Sequence, residues 1–209
     1  MKNLVLVGAG SFGREILTDL RNCIGYETEF TFKGFIDNDL SRLDDYGMRP
    51  LILSLIADYQ PAPEDVFLCT ITDSAYRKQY VERIEARGGE FITLVHQSSS
   101  IGDRTTIGRG CYIARHSVVS CDVTLGDFVI FNGFGTVGHD SVLHDFCNLG
   151  AYAMVAGRVE VGAGTTLHPH CTILPSKKIG KNCVIGAGSV VIRSVGDGTS
   201  VFGVPAKRI

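Results

Sequence analysis

Residues 95–113 read VHQSSSIGDRTTIGRGCYI, and the aliphatic residues Val95, Ile101, Ile107 and Ile113 stand six apart within them. The same step continues unbroken through Val119, Leu125, Phe131, Val137, Leu143, Leu149, Val155, Val161, Leu167, Ile173, Ile179 and Ile185 to Val191. A helix repeats every 3.6 residues and a strand every 2, so neither produces this beat. A period of six belongs to hexapeptide β-helices, in which short strands wind into a prism.

The other places in the repeat point the same way. Directly after the aliphatic residue there is usually a small one, as at Gly102, Gly108, Gly126, Gly138, Gly150, Gly162 and Gly186, which suits a tight corner. Four places after it runs a second row of small residues, including Ser99, Thr105, Cys111, Ser117, Cys147, Thr165, Cys171 and Cys183, expected to face inward and fill a narrow core. With three hexads per triangular coil, residues 18 apart stack at the inter-strand spacing of about 4.8 Å.

Composition sets bounds. With 209 residues and a net charge of −2, the chain suits one or two domains and has no large field to attract nucleic acid. No apolar run approaches the ~20 residues of a membrane span. The start, Met1 to Gly8, lacks the basic head and cleavage site of a secretory signal, so a cytoplasmic protein is expected. Four of the seven cysteines fall in the small inward row and no CxxC pair occurs, which favours packed thiols over disulfides or a metal site.

Before Val95 the rhythm changes, which divides the chain into residues 1–94 and 95–209. The first part reads as α/β: strands at Leu4 to Val7, Phe32 to Ile36, Val66 to Ile71 and Phe91 to Val95, and helices at Arg14 to Arg21 and Ser74 to Arg87. Alternation of this kind implies a parallel sheet. Gly8, Gly10 and Gly13 form a GxGxxG turn between a strand and a helix, where main-chain amides can cradle a phosphate. Asp37 ends the second strand, 24 residues beyond Gly13, where an acid could take a ribose hydroxyl. A tight turn that binds nothing is the alternative reading. NAD would fit the motif too, but a unit of this size lacks the second half that holds the nicotinamide, so a nucleotide carried by a substrate fits better.

Chemistry is expected in the prism. In the hexad Val137-Gly138-His139-Asp140-Ser141-Val142 the imidazole and carboxylate lie near a corner, outside the inward rows. A neighbouring carboxylate can fix the tautomer of a histidine and raise its basicity, as general-base catalysis requires. By stacking, His139 lies over Cys121 and under Gly157, where the missing side chain is expected to leave a slot for an extended ligand. A surface His–Asp pair without a role is the competing reading.

Four elements in order resemble a known family: Val7-Gly-Ala-Gly-Ser-Phe-Gly-Arg-Glu15, Phe35-Ile-Asp-Asn38, Val137-Gly-His-Asp140 and Gly203-Val-Pro-Ala-Lys-Arg208. The chain is similar over essentially its whole length to the bacterial sugar acyltransferases of the sialic-acid O-acetyltransferase type, which include N-acetyltransferases of nucleotide-linked 4-amino-6-deoxy sugars. The resemblance implies a Rossmann-like domain followed by a left-handed parallel β-helix, a homotrimer, acetyl-CoA between neighbouring prisms, and the acceptor's nucleotide on the first domain. It implies His139 as general base, Asp140 as its orienting partner and a main-chain amide for the oxyanion.

By the same resemblance, Gly157 and Ala187 meet the pantetheine arm and Asn132 lies near the thioester. Asn148 stands where many members carry a second histidine, and an amide can still donate to the thioester carbonyl without changing charge. Phe12 replaces the histidine of the family's usual Gly-His-Gly, exchanging a polar contact for an aromatic face. His144 is expected to face solvent. Lys177, Lys178 and Lys181 are candidates for the CoA phosphates, against a plain solvated cluster. The acceptor set is Gly8, Gly10, Ser11, Phe12, Gly13, Asp37, Asn38 and Thr72, and no metal is expected. Two other functions stay open: a non-catalytic repeat scaffold, and a nicotinamide-dependent enzyme that the β-helix trimerises.

Overall fold

The computed structural model describes residues 1–48 and 51–209, which form two compact units, Met1–Leu94 and Val95–Ile209. In the first unit β1 (Lys2–Val7), β2 (Phe30–Ile36), β3 (Ile52–Ser54), β4 (Asp65–Cys69) and β5 (Glu90–Phe91) make a parallel sheet ordered β3-β2-β1-β4-β5. The central strands are apolar on both faces: Leu4, Val5, Leu6 and Val7 of β1 are all fully buried. This is the pattern of a parallel strand covered by helices. Helix α1 (Ser11–Asp19) turns Ile16 inward, and α2 (Ser74–Glu85) turns Arg77, Val81 and Ile84 inward. Asp73 caps α2, its carboxylate accepting the N–H groups of Ala75 and Tyr76 at 3.0 and 2.9 Å.

Several boundaries differ from the sequence reading. Helix α1 begins at Ser11 rather than Arg14, because Gly10 is its N-cap and the turn is shorter than expected. The strand expected over Phe91 to Val95 is two short pieces, Glu90–Phe91 and Leu94–Val95. Strand β3, only three residues long, carried no periodic signal.

The second unit is a left-handed parallel β-helix whose two-residue strands stack in three faces. The first face holds Ser100–Ile101, Val118–Val119, Thr136–Val137, Met154–Val155, Thr172–Ile173 and Val190–Val191; the second holds Thr106–Ile107, Thr124–Leu125, Val142–Leu143, Glu160–Val161 and Lys178–Ile179. The third includes Tyr112–Ile113, Ile130–Phe131, Asn148–Leu149, Thr166–Leu167 and Val184–Ile185, and gains Ser200–Phe202 and Lys207–Arg208 at the end. Registers such as Val119↔Val137↔Val155 confirm the 18-residue coil. After Val191 the step shortens: Ile179 bridges Val195 and Ile185 pairs Val201, both 16 residues on.

The aliphatic row and the small row together form one continuous buried cluster, and Cys111, Cys147, Cys171 and Cys183 lie inside it. The small row does more than fill space. Thr105, Ser141 and Thr165 donate their hydroxyls to the carbonyls 15 residues on, at 2.8, 3.0 and 2.7 Å, and Cys111 and Cys147 do the same with their thiols. Ser141 and Thr165 also accept the N–H groups of Val159 and Cys183, 18 residues on, so a polar atom enters the core with its partners supplied.

The corner glycines need a correction. The left-handed residue is the one two places later and is seldom glycine: Arg104, Asp122, Phe134, Asp140 and Arg158 all have φ between 57° and 62°. Glycine follows the aliphatic residue for want of space. A Cβ at Gly138 would stand 2.6 Å from the amide nitrogen of Gly157, and one at Gly102 would stand 2.5 Å from that of Cys121.

Candidate functional site

The corner between the first and second faces carries Arg104, Asp122, Asp140, Arg158 and Ser176 in one column, each left-handed. The left-handed turn at Asp140 brings its carboxylate back to the preceding residue, and Oδ2 lies 2.6 Å from Nδ1 of His139. A carboxylate only accepts, so Nδ1 carries a proton, and in the neutral imidazole the lone pair is then on Nε2. The coil is pinned on both sides: Asp140 N–H donates to Cys121 O at 3.4 Å, and Arg158 N–H donates to His139 O at 2.8 Å. Both side chains are half exposed.

Gly157 lies next to the ring, as its register requires, but the expected slot is filled. A Cβ there would stand 2.6 Å from Nε2 and 2.9 Å from Cε1 of His139, so the imidazole itself occupies the place of the missing side chain. The absent methyl group makes room for the histidine rather than for a ligand.

One coil earlier, the same two places hold Cys121 and Asp122. Arg104 donates to Asp122 from two nitrogens at 2.6 and 2.7 Å, and this pairing, followed by a hydrogen bond involving Cys121, holds the Asp122 carboxyl below the usual range. At the third corner His116, Phe134, Tyr152 and His170 stack as a ladder with ring centroids 4.8–5.0 Å apart. Among the described residues, the hydrogen bonds pair an imidazole with the carboxylate of the next residue at His139–Asp140, whereas His144, followed by Asp145, pairs with Glu160 instead.

The remaining prism candidates stand elsewhere. Asn132 and Asn148 belong to the third face, where Ile130 pairs with Asn148 and Phe131 with Leu149. Asn148 is buried and donates to Thr166 Oγ1 at 3.2 Å. Ala187 is exposed after the third-face strand Val184–Ile185. Lys178 sits on the second face beside Glu160, 2.9 Å away, and this hydrogen bond raises the lysine's pKa and lowers that of the carboxyl. His144 faces outward and shares Glu160 at 3.3 Å. A single chain therefore unites His139, Asp140 and Gly157, and leaves Asn132, Asn148, Ala187 and Lys178 on other faces.

The first unit holds a cavity of about 400 Å³ at the carboxyl ends of β1, β2 and β4, where the strand order reverses between β1 and β4. Open parallel sheets place ligands at such a point. Gly8, Gly10, Ser11, Phe12, Asp37, Asn38 and Thr72 all line it. Gly8, at φ 106°, turns the chain out of β1, and its carbonyl accepts Thr70 Oγ1 at 2.6 Å. Gly10 opens α1 with no side-chain cap. Gly13 does not line the cavity: a Cβ there would overlap the Gly8 carbonyl oxygen, so this glycine serves the close packing of helix on turn.

Asp37 is nearly buried and largely engaged by its own chain. Its Oδ2 accepts Ala9 N–H at 2.7 Å and its Oδ1 accepts Asp39 N–H at 2.9 Å. Asn38 donates to Tyr80 at 2.6 Å. Arg42, Ile56, Thr70, Ile71, Tyr76 and Tyr80 also line the cavity, and the sequence reading missed them. Tyr76 and Tyr80 had a usable signal, since i,i+4 on a helix places both on one side. Arg42 and Ile56 lie in loops whose course no period reveals.

Among the described residues no group of His, Cys, Asp and Glu could hold a metal ion, and no helix is long and apolar enough to cross a membrane.

Fold and hexad register define a left-handed parallel β-helix protein with a small parallel α/β sheet at its N-terminus. No protein-family model matches the chain. Its sequence is 29% identical over 142 residues to GDP-perosamine N-acetyltransferase of Escherichia coli O157:H7, covering 68% of this chain and 64% of the relative. It is 28% identical over 117 residues to UDP-N-acetylbacillosamine N-acetyltransferase of Bacillus subtilis, covering 54% and 51%. The matches thus span about half to two thirds of those relatives' lengths.

PerB from Caulobacter crescentus, solved in complex with CoA and GDP-perosamine, superposes with a TM-score of 0.89 at 24% identity over 100% of this chain and 98% of that one. The acetyltransferase domain of PglB from Neisseria gonorrhoeae, in complex with acetyl coenzyme A, gives 0.87 at 22% over 100% and 99%. At these identities the structures establish the fold. The sequence relatives agree with the resemblance to bacterial sugar acyltransferases carried by the four motifs.

Proposed function

We propose that the chain transfers an acetyl group from acetyl-CoA to an amine, or a hydroxyl, of a nucleotide-linked sugar, with residues 1–94 holding the nucleotide and residues 95–209 carrying the chemistry. The observation that carries the reading is the 2.6 Å contact between His139 Nδ1 and Asp140 Oδ2, which leaves Nε2 as the base. The acceptor amine loses a proton to Nε2 as its nitrogen attacks the thioester carbonyl, and Asp140 steadies the imidazolium that forms. A main-chain N–H stabilises the oxyanion. The tetrahedral intermediate then expels the CoA thiolate, which takes the proton back from His139, so that the products are the N-acetyl sugar and free CoA.

A homotrimer with acetyl-CoA between neighbouring prisms accounts for the distance of Asn132, Asn148, Lys178 and Ala187 from the corner that holds His139, Asp140 and Gly157, because a cleft between two copies can unite what one copy separates. Asn148 would donate to the thioester carbonyl, and Lys178 would exchange Glu160 for a CoA phosphate. Activated sugars of this kind feed bacterial surface-glycan synthesis in the cytoplasm, where the protein would act.

The test is CoA release from acetyl-CoA with amino and hydroxy sugars linked to UDP, dTDP and GDP, followed by the mass of the product. One acceptor gaining 42 mass units with stoichiometric CoA supports the reading. A flat response to every acceptor would remove the enzyme and leave the fold.

A further inference from the structure

We infer that Arg42 is the residue that recognises the diphosphate of the nucleotide in the cavity of the first unit; this rests on the nucleotide-sugar reading above. The cavity wall includes a carboxylate, Asp37, and among the described lining residues Arg42 is the only cation. A nucleoside diphosphate sugar carries two negative charges into that space, and at short range in a partly desolvated site they repel the carboxylate unless a cation intervenes.

Arg42 is not needed to satisfy the neighbouring acids. The two oxygens of Asp37 accept the N–H groups of Ala9 and Asp39. Asp39 Oδ1 accepts Ser41 N–H at 2.9 Å and Ser41 Oγ at 2.6 Å, and these bonds, with a smaller contribution from the nearby Arg42 charge, hold its carboxyl below the usual range. The Arg42 Nε lies 3.9 Å from Asp37 and 3.6 Å from Asp39, beyond hydrogen-bonding distance of both. The side chain is about half exposed. The segment 37–42 is thus a turn braced by its own acids, with the Arg42 N–H donating to Asp39 O at 3.2 Å, and it presents a guanidinium at the cavity wall. A guanidinium matches phosphate oxygens with paired donors, which a lysine cannot do.

The experiment is calorimetric titration of the full chain and of Arg42→Ala and Arg42→Lys with UDP, dTDP, CDP and GDP, and with the four parent nucleosides. Arg42→Ala is expected to weaken the preferred diphosphate by about 10- to 100-fold and to change the nucleoside by less than about twofold, with Arg42→Lys between. Unchanged diphosphate affinity in Arg42→Ala, or an equal loss for diphosphate and nucleoside, overturns the assignment while the nucleotide reading stands. If the unaltered chain binds none of the diphosphates, the nucleotide reading falls, and the role of Arg42 with it.

Discussion

In the coil unit, a residue's surroundings follow from its number; in the sheet unit they do not. Residues 18 apart in the coil meet the same neighbours, so His139 stacks with Cys121 and Gly157, and Glu160 pairs with Lys178. In the sheet unit the site is assembled from Gly8, Asp37 and Thr70, which lie on three separate strand-to-loop junctions. A repeat thus transmits position cheaply but fixes chemistry only where one hexad departs from the rest, as Asp140 and His139 do. The sheet unit needs many unique contacts to build one cavity.

The equivalence of coils can be broken by cavities. Leu149 and Leu167 are fully buried and paired on the same face, so Leu149→Ala and Leu167→Ala should each cost about 2–5 kcal/mol in denaturant unfolding, with similar values. A large difference between them would show that the coils are not equivalent.

Unique contacts make the opposite prediction for the sheet unit. Burial pushes the Asp65 carboxyl up, but hydrogen bonds from Lys33, Tyr59 and the Ala62 N–H outweigh it and hold the group below its usual range. Its contribution to stability is therefore complete above the unfolded-state pKa of about 3.9 and is lost as pH falls through the lower folded value. Asp65→Asn should destabilise the sheet unit by about 1–3 kcal/mol at pH 7 and flatten its acid-unfolding curve. An unaltered curve would remove Asp65 as a pH-sensitive support.

A finer test concerns Gly157. A Cβ there would stand 2.6 Å from His139 Nε2, so Gly157→Ala should slow acetyl transfer at least about tenfold with little change in melting, whereas Gly196→Ala, with no atom within 4 Å of the added carbon, should not. Equal rates for both would mean that the ring is free to leave the place it occupies. Last, the core row should protect its thiols. Burial pushes the Cys171 thiol up to about 12, and six of the seven cysteines are buried while Cys121 is half-buried, so a thiol reagent should label Cys121 first and the others only on unfolding.

The β-helix was legible almost residue by residue because its period differs from that of helices and flat strands. What escaped was the reason for each small residue. The period cannot distinguish a glycine needed for φ from one needed for space, nor predict that Ser141 and Thr165 would join successive coils by hydrogen bonds. In the sheet unit the glycine turn and Asp37 were readable as motifs. That Ala9 and Asp39 engage the Asp37 carboxylate, and that Arg42 reaches the same cavity, depends on loop paths that local sequence does not determine. The His139–Asp140 pair was visible as adjacency, but the left-handed turn that brings the two side chains together belongs to the coil.

The central claim is that His139, oriented by Asp140, takes the acceptor's proton. Its most direct test is the rate of CoA release by His139→Asn against the unaltered chain, with the acceptor found to be acetylated and with both proteins shown to melt alike. The account predicts a loss of about 100-fold or more. A rate within a few-fold of the original would contradict it.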